Sequence, residues 1–334
     1  MWLVTGGAGF IGTNLALALS QRGEQVVVID DLSRTGSHAN AELLLVTPRV
    51  KLFRDDIRDS ATLESIARDF PEVRYIVHLA GQVSMLASLN NPLDDFSRNA
   101  QGSLNLLEAQ RRFWPHSRSI FASTNKVYGS LSQYQVSEGE SRYNFSDGRT
   151  ALGTDLPVIL QGGYSCSKGC ADFYFRDYRD TYDLDTVVLR QSAICGRFQN
   201  ASADQGWASF LTKETLAGRR VQLHGRGKQV RDLLDVDDLV NLYLSIMDSR
   251  EVGGGCFNVG GGPERSISLL EFFDELYIRG ELPAFDTGPF RPHDQMYFVA
   301  DTGPLEANFG WTPKLNLTEI IDRLVEFERT AARR

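Results

Sequence analysis

Residues 2–12 read WLVTGGAGFIG, and this stretch decides the fold. The apolar run Trp2–Val4 is typical of a buried strand, and a helix-like segment follows the glycines. Gly6, Gly9 and Gly12 would allow a tight turn, the approach of a pyrophosphate to the backbone, and close packing of the helix. The first turn of the helix also offers free N–H groups and the positive end of its dipole to an anion. The stretch therefore predicts a dinucleotide-binding strand, turn and helix.

A carboxylate, Asp30, follows the second predicted strand, where a dinucleotide-binding site places an acid for the ribose. The second apolar run, Gln25–Ile29, ends at Asp30, about 20 residues on, where it would accept hydrogen bonds from the ribose hydroxyls of NAD. Asp30 would repel a 2′-phosphate, although Arg34 in DDLSRTG could accommodate one, so the sequence favours NAD over NADP. Asp56 and Ile57, after the third strand, are further candidates on the adenine side. Their alternative interpretation is a capped helix start with solvated charges.

The rest of the first half repeats the same alternation. Short continuous apolar runs separated by amphipathic segments are typical of βαβ units and of a parallel sheet buried on both faces. We therefore predict a doubly wound α/β domain over residues 1–190, interrupted by an irregular insertion at 130–163, and a smaller α/β lobe over 191–334. Part of 235–260 is expected to return to the first domain. The further predicted strands are Tyr75–Leu79, Ser119–Ala122 and Thr186–Leu189, and the predicted helices are Asn14–Gln21, Ala61–Asp69, Gly102–Arg112 and Lys168–Tyr182.

Composition argues against several classes of protein. A chain of 334 residues with 42% hydrophobic and 23% charged residues has the make-up of an ordinary globular protein. The net charge of −8, without a basic stripe, argues against a nucleic-acid partner. No apolar run reaches the roughly 18 residues of a membrane span, and the first residues already form a strand, so neither a span nor a signal peptide is expected. Four cysteines without a CxxC pair fit a reducing cytoplasm, and no metal site is expected.

Two segments downstream carry groups suited to proton transfer. Tyr164 and Lys168 are four residues apart in YSCSK, on one face of a predicted helix. A neighbouring ammonium favours the phenolate, so a tyrosine with an ordinary pKa of about 10 becomes a base closer to neutral pH. The second segment, Phe121–Gly129, is a strand end that carries hydroxyl groups, including that of Thr124.

The chain resembles the extended short-chain dehydrogenase/reductase family, the sugar-nucleotide epimerases and dehydratases, in five motifs that occur in order: TGGAGFIG, HLAGQVSM, NAQGSLNLLEA, ASTNKVYG and YSCSK. It is similar to the subgroup of CDP-tyvelose (CDP-paratose) 2-epimerases in DDLSRTGS, GQVSM, STNKVYG, DQGW, GRGKQVRD and RPHDQMYFVAD. The resemblance implies a Rossmann-type fold and an enzyme that oxidises a sugar carbinol transiently with NAD and returns the hydride to the opposite face. The implied substrate is a nucleotide-diphosphate sugar, CDP-linked by the subgroup match.

The same resemblance assigns roles to residues. Tyr164 would be the base or acid for a sugar hydroxyl, Thr124 would bond the same hydroxyl, and Lys168 would hold the nicotinamide ribose. The implied cofactor contacts are Gly6, Gly9, Phe10, Ile11, Gly12, Asp30, Arg34, Asp56, Ile57, Leu79, Ala80, Gln82, Asn99, Tyr164 and Lys168. The implied substrate contacts are Ser84, Met85, Thr124, Asn125, Gln191, Gln205, Arg231 and Arg291. Helices around Leu93–Arg112 and Lys168–Tyr182 match those that pair subunits in the family, which implies a homodimer or homotetramer.

The cations of the smaller lobe and of the strand end allow two interpretations. The guanidinium forks of Arg231 and Arg291 match phosphate oxygens, and the resemblance implies that they clamp the diphosphate. Either arginine could instead form an ion pair with Asp232 or Asp294. For Lys126, a solvated charge at the strand end is favoured over a sugar contact.

The reaction has alternatives as well. A 4-epimerase of the same family would use the same machinery, whereas a 4,6-dehydratase commonly has Asp where this chain has Asn125, and an amide cannot protonate a leaving hydroxyl. Gln191 stands where the subgroup typically has His, which leaves the sugar open. A non-catalytic dinucleotide sensor is disfavoured, since such proteins usually lack the tyrosine and lysine. Asn99 and His78 are explained equally well as buried structural residues.

Overall fold

A parallel sheet of seven strands forms the centre of the fold in the computed structural model, which describes residues 1–249 and 254–331. The described strands are β1 (Trp2–Thr5), β2 (Val26–Ile29), β3 (Val50–Phe53), β4 (Tyr75–His78), β5 (Arg118–Thr124), β6 (Val136–Glu138), β7 (Tyr143–Phe145), β8 (Asp185–Gln191), β9 (Ala193–Cys195), β10 (Val221–His224), β11 (Val230–Asp235), β12 (Gly255–Val259), β13 (Ser266–Ser268), β14 (Phe285–Gly288) and β15 (Tyr297–Phe298). The described α-helices are α1 (Phe10–Gln21), α2 (Ser37–Leu45), α3 (Ser60–Asp69), α4 (Met85–Asn90), α5 (Pro92–Phe96), α6 (Gly102–Phe113), α7 (Gly163–Tyr182), α8 (Trp207–Leu216), α9 (Val236–Asp248), α10 (Leu269–Ile278), α11 (Gly303–Phe309) and α12 (Leu317–Ala331).

The strand order of the central sheet is β3-β2-β1-β4-β5-β8-β12. This is the order of a doubly wound dinucleotide-binding sheet, and it confirms the predicted fold class. The first strand lies in the middle, with Val4 opposite Val28 on one side and Val77 on the other. All four residues of β1 are buried, because helices cover both faces of such a sheet. The strand therefore reads as an unbroken apolar run that ends directly at the glycines.

The chain divides into two compact units. The first unit consists of Met1–Thr124, Gly162–Arg190 and Val240–Cys256, and the second of Asn125–Gln161, Gln191–Leu239 and Phe257–Arg334. Residues 250–253 fall in the stretch that we predicted to return to the first domain, and 332–334 fall in the predicted smaller lobe. Both segments lie outside the described residues.

In the first unit, helices α3 and α6 bury one face against the sheet. Ile66 and Leu106 are fully or almost fully buried with Leu3 of β1 in one hydrophobic cluster. Burial of each such side chain contributes about 1.5–3 kcal/mol. The cluster fixes the strands whose carboxyl ends carry the site residues.

The segment 125–161 differs from its prediction. We predicted 130–163 as an irregular insertion in the first domain, whereas the structure groups 125–161 with the second unit. The backbone of Leu152 donates to Val299 O at 2.8 Å and accepts from Asp301 N at 2.9 Å. Val127, Tyr128 and Leu152 share a buried cluster with Phe298. Apolar packing against residues far along the chain decides this grouping, and sequence proximity does not reveal it.

The second unit is built around strand β11. It pairs antiparallel with β13 and parallel with β15 and β9, while β10 pairs with β14. Helices α10 and α12 contribute Phe272, Ile320 and Leu324 to the core, together with Leu233 of β11. A reciprocal capping box between Ser268 and Glu271 begins α10 and satisfies two backbone donors.

Among the described residues, no helix is both long and apolar enough to cross a membrane. Within the same ranges, no three His, Cys, Asp or Glu side chains gather closely enough to hold a metal ion.

Candidate active site

The glycine turn joins β1 to α1 through positions where a side chain would collide with backbone. Gly6 has a φ of +68°, and a Cβ there would lie 2.6 Å from Ala80 N. A Cβ on Gly12 would lie 2.4 Å from Gly7 Cα, so the helix packs directly on the turn. Gly9 is the N-cap of α1 and has no side chain to bond the first N–H groups. These groups are therefore available to an anion.

Phe10 and Ile11, the other predicted cofactor contacts in this motif, are half-buried and form the start of α1. Their position places them directly behind the bare N-cap.

Asp30 directly follows β2, and its carboxylate stabilises the glycine turn through a hydrogen bond. Its Oδ2 accepts from Ala8 N at 2.9 Å, and its Oδ1 accepts from Leu32 N at 2.8 Å. Burial raises the pKa of Asp30, although these two hydrogen bonds oppose the shift. Each carboxylate oxygen has a second lone pair, which leaves acceptor capacity for a ribose hydroxyl. Arg34, from the following loop, lies within electrostatic reach of Asp30 and Tyr164.

Asp56 and Ile57, which follow β3, form hydrogen bonds with neighbouring residues. Asp56 accepts from the backbone N of Arg58 at 2.8 Å, and its Oδ2 accepts from the Arg58 guanidinium at 2.5 and 2.8 Å. Ile57 is buried, and its carbonyl oxygen accepts from Asn105 Nδ2 at 3.1 Å. The charge of Asp56 is thus paired with Arg58, in contrast to the solvated charges of the alternative interpretation.

The loop after β4 is fixed by Asn99, which is buried. Its Oδ1 accepts from Gln82 N at 2.8 Å, and its Nδ2 lies 3.1 Å from Gln82 O and 2.9 Å from Ser167 Oγ. Leu79 and Ala80, predicted to line the cofactor, donate their backbone N–H groups to Thr5. Asn99 therefore holds the predicted cofactor loop through hydrogen bonds.

His78 is a buried structural residue. Its Nδ1 lies 2.6 Å from Thr5 Oγ1, and its Nε2 lies 2.8 Å from Ser103 Oγ. Burial, with a smaller contribution from the charge of Lys168, lowers the pKa of His78 to about 3. The ring is neutral at physiological pH and connects β1 with α6.

Ser84 and Met85 lie at the start of helix α4. Ser84 is its N-cap, and its Oγ accepts from Ala87 N at 3.1 Å. The side-chain amide of Gln82 donates to Ser84 O at 2.8 Å, and its carbonyl oxygen accepts from Ser84 N–H. Gln82 thus brackets the backbone of the residue that we predicted to contact the sugar.

Three predicted catalytic residues converge in the first unit. Thr124 ends β5 and is hydrogen-bonded through its side chain to Tyr164, the second residue of α7. Lys168, one turn further along α7, is buried. Its Nζ donates to Ala122 O at 2.6 Å and lies 4.2 Å from the centroid of the Phe121 ring. A phenol, an alcohol and an ammonium therefore lie at the end of one strand.

The direction of the tyrosine pKa shift corrects our prediction. Burial raises the pKa of Tyr164 to about 12; Thr124 and Arg34 oppose this rise and Asp95 adds to it. The cation that acts on the phenol is Arg34, whereas the ammonium of Lys168 bonds a backbone carbonyl. Burial also lowers the pKa of Lys168 to about 7. Desolvation of Tyr164 outweighs the effect that the YxxxK spacing suggests.

Lys126 corrects a second prediction, because its charge is paired instead of solvated. Its side chain is only 18% exposed, and Nζ donates to Asp294 Oδ1 at 3.0 Å. Arg231 Nη2 donates to the same oxygen at 3.0 Å and to Gln295 O at 2.9 Å. Burial opposes ionisation of Asp294, but Lys126 and Arg231 outweigh it and lower its pKa to about 2. The ion pair that we weighed for Arg231 is present, and it contains two cations for one carboxylate.

Arg291 is a third cation in this part of the second unit, since its charge acts on Lys126. Its Nη2 donates to Ala203 O at 2.7 Å and lies within 3.6 Å of Asp204. Its Nε is buried and finds no acceptor within residues 1–249 and 254–331. Gln205, predicted to contact the substrate, forms two backbone hydrogen bonds with Ser202 in the same loop.

Asn125 and Gln191 are both buried in the second unit. Asn125 Nδ2 donates to Gln295 Oε1 at 3.1 Å, and Gln295 Nε2 donates back to Asn125 O at 3.1 Å. Gln191 is the last residue of β8. Asn125 is thus held beside the residue that follows Asp294.

The chain is similar to known proteins in sequence and in fold. The family model described as NAD dependent epimerase/dehydratase matches residues 2–260. The chain belongs to the NAD-dependent epimerase/dehydratase family. CDP-paratose 2-epimerase of Salmonella typhi is 36% identical over 334 residues, which cover 97% of this chain and 98% of that protein.

Two 4-epimerases are similar over nearly the full length. UDP-glucose 4-epimerase of Mycolicibacterium smegmatis is 32% identical over 330 residues, 98% of each chain. The solved structure of Thermus thermophilus UDP-glucose 4-epimerase in complex with NAD is 32% identical, with a TM-score of 0.83 over 99% of both chains. The predicted family, the NAD cofactor and the enzyme class are confirmed, which excludes the non-catalytic sensor.

The residues of this epimerase/dehydratase fit NAD. The turn is bare at Gly6 and Gly12, where a Cβ would meet backbone, and Gly9 leaves the N-terminus of α1 uncapped by any side chain. Asp30 retains acceptor capacity at the end of β2. These features are what a pyrophosphate and a ribose require.

Sequence reasoning missed two buried acids of this family member. Asp172, one turn after Lys168, accepts from Arg190 at 2.9 and 3.0 Å and from Ser123 Oγ at 2.7 Å. Asp95 is buried next to the π-helical turn Ser97–Gln101. The signal for Asp172 is an acid one helical turn after the lysine on the face that must be buried. The sequence gives no such signal for Asp95. It stands beside Asp94, which is partly exposed and ion-paired, and nothing in the sequence distinguishes the buried acid from the exposed one.

Proposed function

We propose that this protein is a 2-epimerase of a CDP-linked sugar that works by transient oxidation and reduction of the carbinol carbon. The supporting observation is similarity to CDP-paratose 2-epimerase at 36% identity over nearly the whole of both chains. The hydrogen-bonded pair Thr124 and Tyr164, with Lys168 one turn away, supports the chemistry. NAD would be held by the glycine turn and Asp30, and it would supply a hydride acceptor and donor for the carbinol carbon together with a positive charge.

Tyr164 is proposed to take and return the proton of the sugar hydroxyl at its Oη. With a pKa that burial raises to about 12, its phenol is protonated at neutral pH. Proton removal from the sugar therefore requires added positive charge close to the phenolate, which lowers its pKa. Thr124 is placed to orient the same hydroxyl, since its side chain already bonds that of Tyr164.

Inversion requires that the ketone formed at the carbon is reduced on its other face. The sugar must turn in the site between the two half-reactions, while its nucleotide stays bound. Tyr164 then gives the proton back to the new alkoxide, so protons and electrons balance without an external oxidant. Firm binding of the diphosphate is consequently part of the mechanism.

The cations of the second unit are proposed to bind the diphosphate. Lys126, Arg231 and Arg291 bring three positive charges; Asp294 pairs with the first two, and Asp204 lies 3.6 Å from Arg291, so one net positive charge remains. Lys126 is disfavoured as a cation mainly by burial, but also by the charges of Arg231 and Arg291. An added anion relieves this repulsion, and a guanidinium binds phosphate oxygens with a matching fork.

A 4-epimerase is the second candidate, favoured by 32% identity to a UDP-glucose 4-epimerase over 98% of both chains. A 4,6-dehydratase is disfavoured because Asn125, hydrogen-bonded to Gln295, has no acidic proton to give to a leaving hydroxyl.

The test is a panel of CDP-, UDP- and dTDP-linked hexoses and 3,6-dideoxyhexoses, incubated with the NAD-loaded protein and followed by proton NMR. We expect inversion at carbon 2 of a CDP-sugar. Inversion at carbon 4 of a UDP-sugar would replace the proposal by the 4-epimerase, and loss of water would replace it by the dehydratase.

We also propose a homodimer that covers helices α4, α5 and α7. These helices leave large apolar side chains in solvent: Leu86, Leu89, Leu93, Phe96, Phe173 and Tyr174. Leu93 is 82% exposed. Such a patch marks an interaction surface. Light scattering at micromolar concentration is expected to give twice the chain mass for the native protein and a monomer for Leu93→Glu; a native monomer would contradict the dimer.

A further inference from the structure

Asp95 is a buried carboxylate to which the chemistry above gives no role. It is 1% exposed and lies in the short helix α5. Burial raises the pKa of Asp95, while hydrogen bonds to side chains and the charge of Lys168 oppose that rise. A buried ionisable group is costly unless its partners compensate. The position of those partners indicates what the carboxylate does.

The first set of contacts leads to the loop before α4. Asp95 Oδ1 accepts from Gln82 Nε2 at 2.8 Å. The same amide nitrogen donates to Ser84 O at 2.8 Å, and the Gln82 carbonyl oxygen accepts from Ser84 N–H. The carboxylate therefore sets the orientation of the amide that grips the backbone of Ser84.

The second set of contacts leads to the start of α7. Asn99 Nδ2 lies 3.2 Å from Asp95 Oδ1 and 2.9 Å from Ser167 Oγ. Ser167 Oγ donates in turn to Tyr164 O at 3.2 Å. Ser167 directly precedes Lys168. Hydrogen bonds through Asn99 therefore connect one oxygen of Asp95 to the turn that carries Tyr164 and Lys168.

We propose that Asp95 is a positioning residue that holds the 82–85 loop and the Tyr164–Lys168 turn in one arrangement, and that its negative charge acts on the Lys168 ammonium. The inference rests on the proposed function, because the roles of Tyr164, Lys168 and Ser84 are part of it.

The charged surroundings of Asp95 come from few elements. From α7, Lys168 and Tyr164 interact with it electrostatically. On its own helix, Asp94 repels it, but Asp94 is bonded to Arg98 of the π-helical turn at 2.8 Å. Helix α4, MLASLN, carries no ionisable side chain. Lys168 is therefore the cation on which the charge of Asp95 acts.

The test uses the titration of Lys168, which needs no substrate. The chain contains six lysines, so NMR of protein labelled at the lysine ε-carbons resolves few signals, and Lys168→Met identifies the relevant one. Burial lowers the pKa of Lys168, and the charges of Asp172 and, to a smaller extent, Asp95 raise it. We expect Asp95→Asn, which keeps an acceptor oxygen, to lower the titration midpoint by roughly 0.5 to 1 pH unit. Asp94→Asn, the matched control, should leave it in place.

An unchanged Lys168 midpoint in Asp95→Asn overturns the proposal, whatever the turnover. If Asp95→Asn does not fold, Asp95→Ala removes the same charge and is read in the same way.

Turnover provides the positioning readout. We expect kcat of Asp95→Asn to fall about tenfold with NAD retained, and its pH profile to move in the same direction as the Lys168 midpoint. If native protein converts no sugar nucleotide, the proposed function fails, while the lysine titration still decides the role of Asp95.

Discussion

The glycine turn of the first unit and the cation cluster of the second unit are built in opposite ways. The turn is contiguous, from Thr5 to Gly12, and its brace, Asp30, is only 22 positions from Ala8. The cluster joins Lys126 to Asp294 across 168 positions and Arg231 to Asp294 across 63. The proposed anion contacts of the turn are backbone N–H groups, whereas those of the cluster are side chains, two of which already share Asp294.

The difference explains what each region contributes. A turn made of backbone depends on the absence of side chains, so it suits the cofactor common to the whole family. A cluster of long side chains depends on which residues the fold brings together, so it is suited to select the nucleotide and the sugar.

The largest expected effect is at Tyr164, the proposed proton-transfer group of the first unit. Tyr164→Phe removes the Oη that takes the sugar proton, and we expect kcat to fall roughly 10³-fold or more. Bound NAD, measured by absorbance after release, should remain. Tyr182→Phe, an exposed tyrosine on the same helix, is the control. A Phe variant with native turnover would remove Tyr164 from the scheme.

Gly12→Ala sharpens the view of the turn as backbone. Its Cβ would lie 2.4 Å from Gly7 Cα, so α1 must shift away from the phosphate position. Displacements of this size cost about 100-fold in binding or rate, and we expect that loss in NAD affinity by calorimetry. Gly23→Ala, at the other end of α1, places no atom within 4 Å of the new Cβ; its φ of +79° makes the variant less stable, but it should keep native affinity for NAD. Equal affinities for both variants would refute the steric account.

The sequence predicted the contiguous features of the molecule and did not predict the contacts between residues that are far apart along the chain. The strand runs and the glycine turn predicted the doubly wound sheet, because local spacing carries that information. Helix α7 begins at Gly163, one position before Tyr164, so the local spacing also predicted the turn that carries Tyr164 and Lys168. The pairing of Lys126 and the grouping of 125–161 depend on residues beyond 290, which no local pattern predicts.

The direction in which the pKa of Tyr164 shifts was also not predicted from the sequence. The spacing of Tyr164 and Lys168 is visible in the sequence, but the depth of burial and the proximity of Arg34 are not. Desolvation is a property of the folded chain, so sequence reasoning predicted the partners of the site more readily than its electrostatics.

The buried ammonium of the first unit predicts a pH dependence of stability. Lys168 has a folded-state pKa of about 7, against 10.5 without burial, so the unfolded chain binds more protons between these values. Burial of Lys168 therefore lowers the free energy of unfolding by its full amount below pH 7, and this penalty shrinks as pH rises from 7 towards 10.5. We expect the native protein to gain about 2 kcal/mol relative to Lys168→Met between pH 7 and 9, measured by urea unfolding. A constant difference would contradict this.

The smallest effect is expected at the cation cluster. Lys126→Met removes one of three cations but leaves Arg231 paired with Asp294, and we expect the Kd for CDP to rise about tenfold, the lower end for a charged hydrogen bond. Lys228→Met, a lysine of the same unit paired with Glu138, is the control. Native affinity in Lys126→Met would show that the cluster is structural only.

The most direct measurement follows the hydrogen on the reacting carbon. NAD-loaded protein is given a CDP-sugar deuterated at carbon 2, and the epimeric product is examined by NMR and mass spectrometry. Transient oxidation with return of the same hydrogen predicts that the product keeps its deuterium at carbon 2. Loss of the deuterium to water would show that the hydrogen leaves as a proton, and would contradict the role given to Tyr164, Thr124 and Lys168.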